Sequence, residues 1–290
     1  MTSAKDVGAR PLPHLRPIAM DVLLSFLHER AVAGLEEVRE GAYARSLRSA
    51  SDPVVMSLVP DPDEPLVELK VRGPDRADDE AIVGAARTAF DLDADPVEID
   101  AVLGRDLALA PLVARTPGIR VPGAVDPFEL LMRAVFGQQI SVAGARTQLG
   151  AFVQRFGVPL DEPVGAITHV FPTPERVAQI TPDELGMPRR RAETIRRLGE
   201  LVASGELDLE DREGALATLA DVPGIGRWTL DYVAMRGFHD PNAFPATDLG
   251  VRRGFEALGL PAETKDILER AERWRPYRAY AVMHLWNANA

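Results

Sequence analysis

The sequence predicts an α+β protein in which a mixed N-terminal unit, residues 1–101, precedes a helical remainder. Three observations lead there. In 65-PLVELKVR-72, Val67, Leu69 and Val71 alternate with charged residues, as in a sheet with one wet face. After residue 101 strand signals stop, and apolar stripes of helical period recur between Gly and Pro breaks. The acidity is segregated as well. Residues 50–100 hold 14 Asp and Glu against 4 Lys and Arg, which accounts for −10 of the chain's net −11.

The elements follow in order. Residues 1–13 are polar and proline-broken and predict a flexible tail, with no apolar core of signal-peptide type. A helix is expected at 18–33, with Val22, Leu23, Phe26 and Leu27 on one stripe. Strand-like runs occupy 36–48, 54–59 and 65–72, and a second helix fits 78–92. The Asp/Pro-rich 91-DLDADPVEID-100 closes the unit. Helical patterns then fit 104–115, 126–136, 141–156, 173–180, 188–204, 210–220, 227–237, 247–258, 262–272 and 275–288. The second part is expected to be all-helical.

Composition excludes several chemistries. Without cysteine there are no disulfides, thiolate metal sites or iron–sulfur clusters. The five histidines have no metal-ligand spacing. No run of 18 apolar residues exists, so a soluble, cytoplasmic protein without a membrane partner is expected. Net acidity argues against indiscriminate polyanion binding and leaves room for a local anion-binding face. The basic run 188-PRRRAETIRR-197 reads first as a solvated helix face.

The most informative stretch is 222-VPGIGRW-228, between two helical patterns. Glycine permits positive φ and close approach of another backbone. A Gly-dependent turn at the start of a helix aims backbone N–H groups outward, an arrangement suited to phosphate. A bare G-x-G is more often a plain helix connection. The full string L-x-x-V-P-G-I-G-R-W-T is more specific, and it resembles the helix-hairpin-helix motif of the base-excision DNA glycosylases. A Gly/Pro-rich loop, 237-GFHDPNAFPATD-248, follows and ends in Asp248, 22 residues beyond Gly226, as that superfamily requires. Upstream, 136-FGQQISVAGA-145 resembles its DNA-intercalating turn. Both 272-ERWRPYRAYAVMHLW-286 and 26-FLHERAVAGLEEVREGAYARSL-47 are similar to the bacterial 3-methyladenine-DNA glycosylase II family. The resemblance spans residues 15–288, with the motifs in the family's order.

That resemblance implies a TATA-binding-protein-like N-terminal domain, 1–101, standing away from DNA. It implies two helical subdomains, 127–240 with the wedge turn and hairpin, and 102–126 plus 241–290 with the catalytic Asp. The implied activity is hydrolysis of the N-glycosidic bond of alkylated bases, such as 3-methyladenine and 7-methylguanine, flipped out of duplex DNA. Asp248 would stabilise the cationic sugar, although taken alone, without the hairpin, it reads first as a helix cap. Gln138 and Gln139 would fill the gap left by the base, with Gln139 at the wedge position where the best-known member has leucine. Phe26, Trp228, Tyr232 and Trp286 would line an aromatic pocket attractive to a cationic base; the bland alternative is core packing. Gly224, Ile225, Gly226, Arg227 and Thr229 would meet the DNA backbone. The carbonyls of Ala220, Val222 and Ile225 would hold a structural Na+ or K+, and no other cofactor is implied. Trp228 fills the slot that is lysine in bifunctional relatives, so no strand-cleaving activity is expected. Leu249 stands where the best-known member has tyrosine, which leaves the base preference open. A monomer is expected. The competing readings are a damage-binding module without turnover and a glycosylase for oxidised or deaminated bases.

Overall fold

The computed structural model describes residues 6–49, 52–73 and 80–288. Five strands, β1 (Asp6–Pro13), β2 (Glu36–Arg39), β3 (Ala42–Leu47), β4 (Val54–Pro60) and β5 (Leu66–Arg72), form an antiparallel sheet in the order β1-β5-β4-β3-β2. The alternation in β5 is realised: Val67, Leu69 and Val71 are buried and Lys70 is exposed. Helices α1 (Met20–Arg30) and α2 (Glu80–Phe90) cover the sheet with Leu23, Phe26, Leu27, Ile82, Ala86 and Phe90.

The chain continues through α3 (Pro96–Leu103), α4 (Ala110–Arg115), α5 (Pro127–Phe136) and α6 (Val142–Phe156). A hairpin of β6 (Val158–Val164) and β7 (Ile167–Val170) follows, then α7 (Pro174–Ala178), α8 (Arg189–Ala203), α9 (Arg212–Ala220) and α10 (Arg227–Arg236). The last helices are α11 (Leu249–Ala257), α12 (Thr264–Ala271) and α13 (Arg278–Asn287). Two apolar cores result. One runs from the sheet through Leu103 to Phe255, Trp274 and Leu285. The other gathers Phe136, Phe152, Leu198 and Val233 from α5, α6, α8 and α10.

Four expectations need correction. Residues 6–13 are not a tail but the edge strand β1, paired with β5 from Asp6↔Arg72 to Pro13↔Leu66; residues 1–5 lie outside the described residues. Pro11 and Pro13 lack N–H groups, which an edge strand tolerates, and Leu12 is buried and anchors the strand. Residues 91–100 are not only a connection, because α3 starts at Pro96. The Asp95 carboxylate caps it, accepting from Val97 N at 3.0 Å and Glu98 N at 3.1 Å. The expected helix 104–115 shrinks to α4 behind a turn held by Asp106, which accepts from Ala108 N at 2.8 Å. Finally, the helical part is not purely helical. The β6–β7 hairpin carries no alternation, since most of β6 is exposed. It is held from outside, where Gly34 O accepts from Thr168 N at 2.8 Å and His169 N at 2.9 Å.

Candidate functional site

Asp248 precedes α11 and caps it, its Oδ1 accepting from Val251 N at 3.0 Å. The same carboxylate has a second task. Trp228 Nε1, from α10, donates to Oδ2 at 2.8 Å, and Trp286 Nε1, from α13, donates to Oδ1 at 2.9 Å. All three donors are neutral. Trp228 packs against one core and Trp286 against the other, so Asp248 sits where the two cores meet. It is half-buried, which leaves its remaining lone pairs reachable.

The four aromatic residues form two stacked pairs around it. Trp228 and Tyr232 stack at 5.1 Å and 13°, and Phe26 and Trp286 at 6.1 Å and 12°. One expectation changes here. Phe26 is buried, with the Arg30 guanidinium 3.8 Å and that of Arg236 4.8 Å from its ring centre. Its ring is covered, so Phe26 backs Trp286 rather than offering an open face to a cationic base. Arg236 also donates to Tyr232 Oη at 3.0 Å and to Pro122 O at 2.7 Å. Burial alone would raise the Tyr232 phenol pKa, but Arg236 and Arg30 override it and pull it below the usual tyrosine value. Burial lowers the Arg30 pKa.

The hairpin joins α9 to α10. Val222 and Ile225 are buried and anchor it, while Pro223, Gly224, Gly226 and Arg227 are exposed. Only Gly224 needs glycine for its backbone, at φ 96°; Gly226 has φ −104°. A Cβ on Gly224 would run into Thr194 Oγ1, whereas around Gly226 there is open space. No side chain caps α10, so its first amides face outward from the exposed tip. Arg227 is exposed and paired with Asp231 at 2.9 Å. Thr229 departs from expectation: its side chain is buried and its hydroxyl accepts from Gln138 Nε2 at 3.2 Å, so only its backbone can face a phosphate.

The wedge turn joins α5 to α6. Gln139 is exposed and left-handed, at φ 61°. Gln138, its neighbour, turns inward to the hairpin instead of outward beside it. Leu249, next to Asp248, is 58% exposed.

Two contributors escaped the sequence reading. A Cβ on Gly250 would lie 2.6 Å from Trp286 Cδ1 and 3.0 Å from Asp248 Oδ1, so glycine there is what lets the indole reach the carboxylate. Arg236 was missed because one arginine in a helical pattern carries no signal. No group of three or more His, Cys, Asp or Glu suited to a metal occurs among the described residues, and no helix among them is long and apolar enough to cross a membrane.

Comparison with known proteins gives the family and its relatives. Residues 10–126 match the family described as AlkA N-terminal domain, and residues 132–277 match the HhH-GPD superfamily base excision DNA repair protein. The chain is 41% identical to a Mycobacterium tuberculosis protein named probable bifunctional transcriptional activator/DNA repair enzyme AlkA, over 98% of this chain but only 57% of that one. It is 36% identical to DNA-3-methyladenine glycosylase 2 of Escherichia coli, covering 91% of this chain and 92% of that one. Among solved structures, a 3-methyladenine DNA-glycosylase from Archaeoglobus fulgidus superposes with a TM-score of 0.81 at 25% identity, over 96% and 97% of the two chains.

Proposed function

The chain belongs to the HhH-GPD superfamily of base excision DNA repair proteins, and from that premise we propose that it is a monofunctional DNA glycosylase for alkylated bases, acting on the nucleoid in the cytoplasm. One observation carries the reading: a half-buried carboxylate, Asp248, held in place by neutral donors only. As the bond from C1′ to the base nitrogen lengthens, its electron pair leaves with the base and positive charge grows on the sugar. A fixed carboxylate in a partly dry site stabilises that charge, and its orientation needs no rearrangement during the step. Water then adds to C1′, and the proton it loses passes to the carboxylate or to solvent. Trp286, backed by Phe26, and the Trp228–Tyr232 pair receive the flipped base, and the exposed hairpin tip holds the backbone.

Trp228 in place of lysine supports hydrolysis without strand cleavage, since no amine is there to form a Schiff base. Borohydride trapping should yield no covalent protein–DNA adduct. The hairpin carbonyls of Ala220, Val222 and Ile225 suit a hard monovalent cation: Ala220 ends α9, where the helix dipole is negative, and Val222 O is partly engaged by Ile225 N at 3.0 Å. A bound Na+ or K+ would brace the hairpin and take no part in bond breaking.

A second reading of the substrate has its own support. Arg30 and Arg236 against Phe26 make this side of the pocket electropositive, which favours neutral, oxygen-bearing bases such as deaminated purines over cationic ones. One assay separates the readings: incubation with methylated and with deaminated duplex DNA, and chromatography of the released bases. Release of neither base, with duplex binding intact, would leave only a damage-binding module.

A further inference from the structure

The two adjacent glutamines of the wedge turn face opposite ways. Gln139 is exposed at its left-handed φ of 61°, a conformation that costs free energy for any residue with a Cβ. Something must hold it there, and Gln138 is placed to do so. The Gln138 side-chain amide donates to Gly224 O, in the hairpin, at 3.0 Å and to Thr229 Oγ1, in α10, at 3.2 Å. Its backbone carbonyl accepts from Arg191 Nη2, in α8, at 2.7 Å. The hairpin is tied to α8 in turn, because Thr194 Oγ1 donates to Pro223 O at 2.9 Å. Wedge turn, hairpin and α8 therefore close a ring of hydrogen bonds, with Gln138 at its centre.

We propose that Gln138 is a positioning residue that couples the wedge to the hairpin, so that Gln139 enters the duplex only in register with the hairpin's hold on the backbone. The proposal rests on the glycosylase reading above. It assigns Gln138 no contact with the base gap, and it gives Arg191 a part in positioning rather than in a solvated basic face.

The test uses the full chain, a duplex with an abasic-site analogue and an undamaged duplex. Gln138→Met keeps the side chain's length and removes both donated hydrogen bonds; Arg191→Met loosens the turn from the other side. Each should weaken abasic-site binding by about tenfold and change undamaged-duplex binding by less than about twofold. Adding Gln139→Ala to Gln138→Met should cost little more than the worse single change, because the two act as one unit. Multiplying losses in the double variant would overturn the coupling. So would a parallel loss on both duplexes, or wild-type binding by folded Gln138→Met. If Gln138→Met fails to fold, a folded Arg191→Met with unchanged abasic-site binding overturns it equally. Wild-type protein that neither releases a base nor prefers the abasic duplex would sink the glycosylase reading itself, and this proposal with it.

Discussion

The buried Glu36–Glu129 cluster and the Asp248 carboxylate are built on opposite principles. At the junction of the sheet domain and the helical core, Glu36 of β2 and Glu129 of α5 meet Arg45 of β3 and Arg133 of α5. Arg45 reaches Glu129 at 2.6 Å, and Arg133 reaches Glu36 at 2.6 Å and Glu129 at 2.7 Å. Tyr43 Oη also donates to Glu36 at 2.5 Å. Two positive and two negative charges are buried together, so the cluster carries no net charge. Burial alone would raise the Glu129 carboxyl pKa; the two guanidiniums override it and hold it below the usual carboxylate range. Asp248 has no such guanidinium among its donors. Its charge is oriented by two indoles and an amide and is left uncancelled. A compensated cluster can only hold two parts together. An uncompensated one can answer a charge that arises later, on a substrate. The first should therefore govern stability and the second rate.

The sharpest test is Glu129→Ala. It strands Arg45 and Arg133 without their shared partner, and stability should fall by about 3–5 kcal/mol. Excision per folded molecule should change little, which denaturant melts beside single-turnover rates would check. A rate loss that outruns the loss of folded protein would erase the contrast between the clusters.

Asp248→Asn is the converse. Excision should slow by about 10²–10³ at the chemical step while duplex affinity holds. The fold is less indifferent than capping alone suggests. Both carboxylate oxygens accept an indole N–H, so an amide NH2 must face one of them, at a cost of about 1–3 kcal/mol. Wild-type excision by the folded variant would reduce Asp248 to a cap.

The helix that carries Trp286 also predicts a pH effect. His284, on the same helix, is buried, and neither ring nitrogen has a partner among the described residues. Burial lowers its pKa to about 4, from 6.5. The native protein thus refuses a proton that the unfolded chain accepts. Stability should fall as pH drops below about 6.5 and level off below about 4, by about 3 kcal/mol in all. His284→Leu should flatten that part of the profile, and an unchanged slope in thermal melts between pH 4 and 7 would place the acid sensitivity elsewhere.

The smallest effect concerns the indole itself. Trp228→Phe keeps a ring for stacking on Tyr232 and removes one neutral donor from Asp248. Excision should slow by about tenfold, the worth of one hydrogen bond to a charged group. A change much larger than that of Asp248→Asn would mean that Trp228 acts on the base and not through the carboxylate.

Local patterns decided much of this protein. The period-2 run of β5, the Gly and Pro breaks between helices, and the V-P-G-I-G-R-W string each depend on neighbours in the chain, so each is legible there. Asp248 was legible as a site through the resemblance to the helix-hairpin-helix glycosylases, which have an Asp at that distance from the hairpin; taken alone it reads as a helix cap. What tertiary structure alone decided depends on partners far apart in sequence. β1 is a strand because β5 offers it an edge, and the β6–β7 hairpin is held by Gly34. Arg45 and Glu129 are 84 residues apart and Trp286 and Asp248 are 38 apart, and no periodicity links such pairs. Gln138 and Gln139 are adjacent and chemically identical, so the sequence gives no basis for sending one inward and the other out. The left-handed turn of one residue and a carbonyl 86 residues away made that choice.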